Sequence, residues 1–463
     1  MKTSKTVKIF CAALLSASMI GCTASAQEEN TNTELNIQEI TSGESTDTAA
    51  SNTQDTVTVQ TASGTLITDG ASLFTDRDNA QTADLSEAVT YTVTDNQDIS
   101  ITEAGVYVIK GTAKEVTITV EAGDEDKVQI VLDGADITNT DVPVIYVKNA
   151  DKVFVTTTGD NTLKVTGTFT ADGDTNTDAV IFSKDDLVLN GTGSLTIEST
   201  DNGISSHDDL KITGGTYTIT SASDAIEAND SILINNGTFT INSKKDALHA
   251  ENEDDDSQGY IYISGGTFNI TASDDGIQGT SFTQIDGGTF TINAAEGIEA
   301  TYVQINDGKI SVSASDDGIN ASNKSTAYTP VIEINGGDIT VKMGSGDTDA
   351  LDANGSIYIN GGTIDITAQF AFDYDGKAEL NGGTVTVNGT QVTSITNSMM
   401  GGGFGGHGGQ MPGGESGDGA WQRPDGNSGM NGEGPQGEMP SDGQMPSDGQ
   451  RPGGFGGHGH GRP

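Results

Sequence analysis

The sequence predicts an all-β fold, a right-handed single-stranded parallel β-helix of about 22 residues per rung, and three observations carry that prediction. One phrase is repeated: Ser264–Ile277, Asp286–Ile298 and Asn306–Ile319 each contain a glycine turn, a strand alternating polar and apolar residues, and an acidic corner followed by an aliphatic. The glycine closing the turn recurs at Gly193, Gly215, Gly237, Gly266, Gly288, Gly308, Gly337, Gly362 and Gly383, at spacings of 22, 22, 29, 22, 20, 29, 25 and 21 residues. A fixed period with occasional longer intervals is the signature of a solenoid with loops inserted on some turns. Finally, only 33% of the 463 residues are hydrophobic and 5% aromatic. That is too little for a compact globule of this size, but enough where each rung buries its inner side chains only against its neighbours.

The chain opens with Lys2, Lys5 and Lys8, an apolar run over Ile9–Ile20, and the junction Gly21-Cys22. This is a secretory signal, too short to span a membrane as a helix. Its end resembles a bacterial lipobox, which implies removal of residues 1–21, lipidation of Cys22 and display on the outer face of the bacterial cell membrane. The alternative is an ordinary cut near Ala24 or Ala26. Cys11 leaves with the signal, so no disulfide can form within the mature chain. Residues 22–84 are mostly Thr, Ser, Asn, Gln, Glu and Asp and read as a disordered tether, with the strand-like Thr65-Leu66-Ile67 and Asp76-Arg77-Asp78 as its first candidate contacts.

Residues 85–397 form the predicted β-helix. From Val89 to Val155 the strands are short, β-branched and without the Gly-Gly-Thr phrase, as the atypical first rungs of a solenoid should be. From Asp185 to Asn388 come the regular rungs. Alternation places two columns inward: Tyr217, Phe239, Phe268, Phe290, Ile310, Ile339, Ile364, Val385, and Ile219, Ile241, Ile270, Ile292, Val312, Val341, Ile366, Val387. Parallel crossovers favour the right hand. Three insertions, 251–258, 322–330 and 343–348, read as loops on the corner after the acidic strand, on one side of the rod. Residues 398–463 are Gly, Met, Pro, Gln, Asp and His, a composition that builds no core, and are expected to be disordered.

A net charge of −46 argues against nucleic acid or an anionic membrane as partner and makes divalent cations the natural counter-ion. The charge is organised. Two residues before each buried aliphatic stand Asn202, Asp224, Asp246, Asp275, Glu296, Asp317, Asp349 and, by a looser alignment, Asp373; three residues further on stand Ser205, Glu227, His249, Gln278, Glu299, Asn320 and Asp352. Asp274 and Asp316 add leading carboxylates. Like charges stacked ~4.8 Å apart repel unless a cation lies between them. Calcium takes six to eight oxygens in irregular geometry and suits such a ladder; zinc does not, with no Cys and only isolated His. The competing reading is ordinary corner chemistry, each carboxylate accepting local N–H groups. The densest cluster is Glu296, Glu299, Asp316, Asp317 and Asn320.

Several phrases (Phe182-Ser-Lys-Asp-Asp-Leu187, His207-Asp-Asp-Leu-Lys-Ile-Thr-Gly-Gly215, Asp246-Ala-Leu-His-Ala250, Ser273-Asp-Asp-Gly-Ile277) resemble a bacterial surface family of calcium-binding, right-handed β-helix carbohydrate-binding proteins. Ala122–Gly134, Ile145–Val153 and the glycine-rich tail match it too, and the resemblance runs from Tyr91 to Asn388. It implies Ca2+ as cofactor and cellulose or an acidic polysaccharide as partner, with rungs like those of calcium-dependent pectate lyases. In those lyases the ligands are spaced Asp-Asp-x-x-Asp plus one from the previous rung. Asp316-Asp317-Gly-Ile-Asn320 above Glu296 or Glu299 has that layout, with Asn in the last place. The expected protein is therefore a monomeric, non-catalytic surface lipoprotein that binds polysaccharide through calcium, with Tyr262, Tyr302 and Tyr358 as exposed stacking and hydrogen-bonding groups. A calcium-stiffened spacer and a polysaccharide lyase are the alternatives. A lyase needs a basic residue beside the metal, and Lys309 and Lys324 are the candidates near the cluster.

Overall fold

The computed structural model describes residues 66–346 and 348–398. The chain divides into units Met1–Asn397 and Ser398–Pro463, and the first of these carries the repeats. The expected signal, Cys22, most of the tether and the glycine-rich tail lie outside the described residues.

The repeat-bearing unit is a parallel β-helix with three strands per coil. A representative coil runs Ser231–Ile234, Thr238–Asn242 and Leu248–Ala250, here called the first, second and third strand. Third strands stack in one parallel sheet of 12, from Ile99–Ile101 to Phe370–Tyr374. At ~4.8 Å per coil that makes a rod on the order of 60 Å long. First and second strands are joined by the glycine corner and belong to one continuous sheet. A closing hairpin, Thr384–Val387 with Thr390–Val392, is antiparallel and ends the stack.

Register explains why so few apolar residues suffice. Tyr217, Phe239, Phe268, Phe290, Ile310, Ile339, Ile364 and Val385 are direct partners across successive second strands. Phe268 lies flat between Phe239 and Phe290, with ring centroids 4.6 and 4.5 Å away. Each ring is covered on both faces by its neighbours, so burial needs no second layer. The corner glycines hold positive φ from Gly215 to Gly383. At Gly288 (φ +111°) an added Cβ would lie 2.9 Å from the Phe290 ring and 3.2 Å from the Gly266 carbonyl, so only glycine closes this turn. In the corner between Leu187–Gly191 and Ser194–Glu198 the positive φ sits at Gly191, two residues before the glycine singled out by the repeat. Beside these corners Asn306, Asn335, Asn360 and Asn381 form a ladder, each amide donating 2.8–2.9 Å to the one before.

The tether ends earlier than its composition suggests. Residues 66–84 are ordered as a strap across the outward side of the first strands, from Tyr302–Ile305 back to Lys152–Thr158. Ile67 N donates to Gln304 Oε1 and Thr68 N to Gln284 Oε1. Asp78 O accepts from Asn190 Nδ2 and Thr213 Oγ1, and Arg77 lies 4.4 Å over the Phe154 ring. The physical reason is reciprocal satisfaction. Gln284 and Gln304 point out of the rod yet are fully buried, and the strap supplies the backbone partners they require.

The loops also differ from expectation. The segments 251–258 and 322–330 do come after third strands, but 343–348 precedes one, Asp349–Ala353, and lies on the other corner. The first two meet: Ser325 Oγ donates to Asp256 O (2.6 Å), and Thr326 donates to the Asp256 carboxylate. They bridge coils that carry no such insertion.

Candidate metal-binding face

Third strands are short because their corners turn sharply, and the residue at the corner takes a defined backbone role. Asp224 N donates to Asn202 Oδ1 (2.9 Å), Asp246 N to Asp224 Oδ1 (2.8 Å), Asp275 N to Asp246 Oδ1 (2.8 Å) and Asp349 N to Asp317 Oδ1 (3.2 Å). Asn202 gives its amide oxygen to this bond, while Asp224, Asp246 and Asp317 each commit one carboxylate oxygen to the next coil and keep the other for something else. Asp275 breaks the series. Among the described residues its carboxylate takes no N–H from Glu296, its partner in the next coil.

The consequence is a cluster centred on Asp275, one coil earlier than the expected one. Carboxylate oxygens of Asp275, Glu296 and Glu299 lie within 4.8 Å of one another, as do those of Asp246, Asp274 and Asp275. Asp275 and Glu299 are buried, Glu296 half-buried and Asp274 exposed, so the group opens to solvent on one side. Asn320 joins from the next coil, its Nδ2 donating to Glu296 Oε2 (2.9 Å) and Glu299 Oε1 (3.4 Å). Asp317 is not grouped with them; its Oδ1 accepts from Asp349 N in the following coil. Asp316 is exposed at the corner. Asp349 and Asp352 belong to the coil after that, where Asp352 faces Asp373 in strand register. Asp373 therefore belongs to the second column and not the first, where Phe370 partners Asp349. Further along, Asp224 and Glu227 group with His249.

Electrostatics are set by burial. Asp246 is pushed up to about 6 by burial and by Asp224. Glu296 is pushed up to about 7 by burial and by Glu299. Asp275 rises well above the carboxylate range through burial and then Asp246, Glu296 and Glu299. In the next coil burial and Asp352 push Asp317 up to about 7. One internal cation compensates in part. Lys324, carried in by the loop 322–330, sits 2.7 Å from Glu299 Oε2. With its amide turned to satisfy both neighbours, Gln278 accepts from Lys324 Nζ (2.6 Å) and donates to Asp246 Oδ2 (2.8 Å). Burial pulls Lys324 down, but Glu299, Asp275 and Glu296 outweigh it and hold the ammonium protonated.

The residues present fit a hard divalent cation. Besides the carboxylates, Asn320 Oδ1 is buried at the same place without a hydrogen-bond partner, and a carbonyl oxygen of this kind is a normal calcium ligand. The expected aromatic groups are placed differently. Tyr262 and Tyr302 are each 3% exposed. Their hydroxyls bond Asp286 Oδ2 and Glu333 Oε2, while Phe74 and Tyr328 cover their rings. Strap and loop bury that side of the first strands, so neither tyrosine is a platform; Tyr358 is half-buried.

A family model described as "Carbohydrate-binding domain-containing protein" matches residues 95–350 and 300–404. A protein of the same description from Acetivibrio thermocellus is 38% identical over 124 residues, 26% of this chain and 43% of that protein. The aligned stretch thus spans less than half of that relative. A solved structure of a polysaccharide lyase-like protein from C. thermocellum, a gadolinium derivative, aligns at TM-score 0.39 and 24% identity, over 65% of this chain and 97% of that one.

Proposed function

The chain belongs to the family of carbohydrate-binding domain-containing proteins, and from that premise we propose that its acidic face binds polysaccharide through calcium without cleaving it. Asp275, Glu296, Glu299 and the Asn320 carbonyl would hold the ion, with Asp246 and Asp274 beside them. Calcium supplies a bridge from protein carboxylates to a carboxylate of the sugar, which is how so acidic a rod could hold an acidic ligand. The observation that carries the reading is Asp275: a buried carboxylate freed from corner bonding and shared between two carboxylate groups.

The ligand class is set by what the surface offers. Among the described residues the exposed large apolar side chains are Leu66, Leu85 and Val89, with no exposed aromatic ring to stack on a neutral sugar. Uronate-bearing polymers are therefore favoured over crystalline cellulose. Catalysis is disfavoured by Lys324. It is the cation beside the cluster, but Glu299 keeps it protonated, and a proton-abstracting base must be neutral. Lys309 is exposed on a second strand, beside Asp338. The N-terminal signature supports a lipid anchor at Cys22 and display at the outer surface of the cell, with the strap as the end of the tether.

Binding of polygalacturonate and of cellulose, each in millimolar calcium and in excess EDTA, tests the proposal. The expected result is polygalacturonate retention only in calcium, without new absorbance near ~235 nm, the mark of an unsaturated uronate left by β-elimination after general-base proton abstraction. Binding that survives EDTA contradicts the calcium bridge, and rising absorbance contradicts the non-catalytic reading.

A further inference from the structure

The group of Asp224, Glu227 and His249 differs in chemistry from the adjoining all-oxygen cluster, with which it shares the coil that carries Asp246. Register stacks Glu227 directly on His249, and ligand atoms from all three residues lie within 4.8 Å of one another. Asp224 Oδ1 is committed to Asp246 N, leaving Oδ2, which is 3.4 Å from His249 Nδ1. The imidazole is only 9% exposed, and its Nε2 is buried without a hydrogen bond, 3.4 Å from Glu251 Oε2. Glu227 and Glu251 line an open cleft of about 350 Å³ at this point. Of the three groups, Glu227 reaches this cleft.

We propose that Asp224, Glu227 and His249 form a second metal site, selective for a first-row transition ion of the zinc class rather than calcium. Imidazole is a borderline-soft nitrogen donor that calcium does not favour and zinc, cobalt and nickel do. Spacing agrees: a tetrahedron with bonds of ~2.05 Å sets its donors about 3.3–3.4 Å apart, the separation of Asp224 Oδ2 from His249 Nδ1. With one ring nitrogen on the metal, the other faces a carboxylate, the arrangement that orients metal-bound histidines elsewhere. Three groups compete with the ion, the first being the Asn202 amide, which donates to Glu227 Oε2 (2.8 Å). A proton on His249 satisfies the same carboxylates, and the Lys245 ammonium lies 3.4 Å from Asp224 Oδ2. Lys245 has a largely exposed side chain and can swing away. The proposal does not rest on the sugar-binding reading, although Asp246 Oδ2, beside the proposed calcium, lies 3.8 Å from His249 Nδ1.

Cobalt(II) titration of the full chain in saturating calcium, followed by visible absorption and calorimetry, tests it. Histidines of the tail supply a background common to all variants, so the readout is the difference. Wild type should bind one more equivalent than His249→Gln, releasing protons as it does. Glu227→Gln, which keeps the imidazole, should weaken that equivalent at least tenfold, and Lys245→Ala should tighten it severalfold. Equal stoichiometry in wild type and His249→Gln in saturating calcium overturns the proposal, as does an extra equivalent that appears only when calcium is left out. Should His249→Gln fail to melt cooperatively, the Glu227→Gln comparison decides alone, and unchanged cobalt affinity there also overturns it.

Discussion

At the scale of single residues, the acidic face is a set of carboxylates that cannot all be charged without help. Glu296 and Asp317 are pushed up to about 7 and Asp246 to about 6, chiefly by burial. A carboxyl raised in the folded state binds more protons there than in the unfolded chain. Its stabilisation is full below the ordinary carboxylate range and is lost as pH rises through 6 to 7. In EDTA, therefore, the melting temperature should fall by several degrees between pH 5 and pH 7.5. Saturating calcium should reverse the trend, because the ion binds the deprotonated form and its affinity rises over the same window. Thermal melts at the two pH values, with and without calcium, read both signs. A residue-scale feature was also where the sequence misled. Spacing alone placed Asp373 beside Asp349, whereas pairing sets it on Asp352. Alternation shows that Tyr262 and Tyr302 point out of the rod, but not that a strap and a loop close over them.

At the scale of elements, the strap is the piece whose role composition hides. It holds few apolar residues, and its order comes from polar groups that complete buried partners on the rod. Asp78 is central: it is 1% exposed, accepts Thr75 N at 2.9 Å and lies 4.0 Å from Lys152. Asp78→Ala removes the acceptor and leaves Lys152 with Asp186. A loss of about 1–3 kcal/mol is expected for a buried group left unsatisfied, enough to release the strap locally. Limited proteolysis should then cut between residues 66 and 84 in the variant while the wild type resists there. The rod itself was legible because inward side chains repeat with the coil. Every partner in the Tyr217-to-Val385 column can be read from glycine spacing. The loop 322–330 was visible as an insertion, but nothing in its composition shows that Lys324 returns to the acidic face.

At the scale of the whole unit, a rod of stacked coils separates cohesion from recognition. The inward columns fix the coils in register, and the third strands can then vary their outward residues from Asn and Ser to Asp, Glu and His without touching the core. Sites can change coil by coil along one scaffold. Calcium should also couple to stability: free ion at ~100 times its dissociation constant adds about 2.7 kcal/mol, a shift of a few degrees in melting temperature. Position along the rod decides which ligands meet, and here the meeting point is Asp275. The measurement that bears most directly on this is polygalacturonate affinity of Asp275→Asn beside wild type in millimolar calcium. A calcium bridge centred on Asp275 predicts at least a tenfold loss in the variant, whose melting temperature in EDTA is equal or higher because the cost of burying an ionisable carboxyl among other acids has been removed. Undiminished affinity in Asp275→Asn would contradict it.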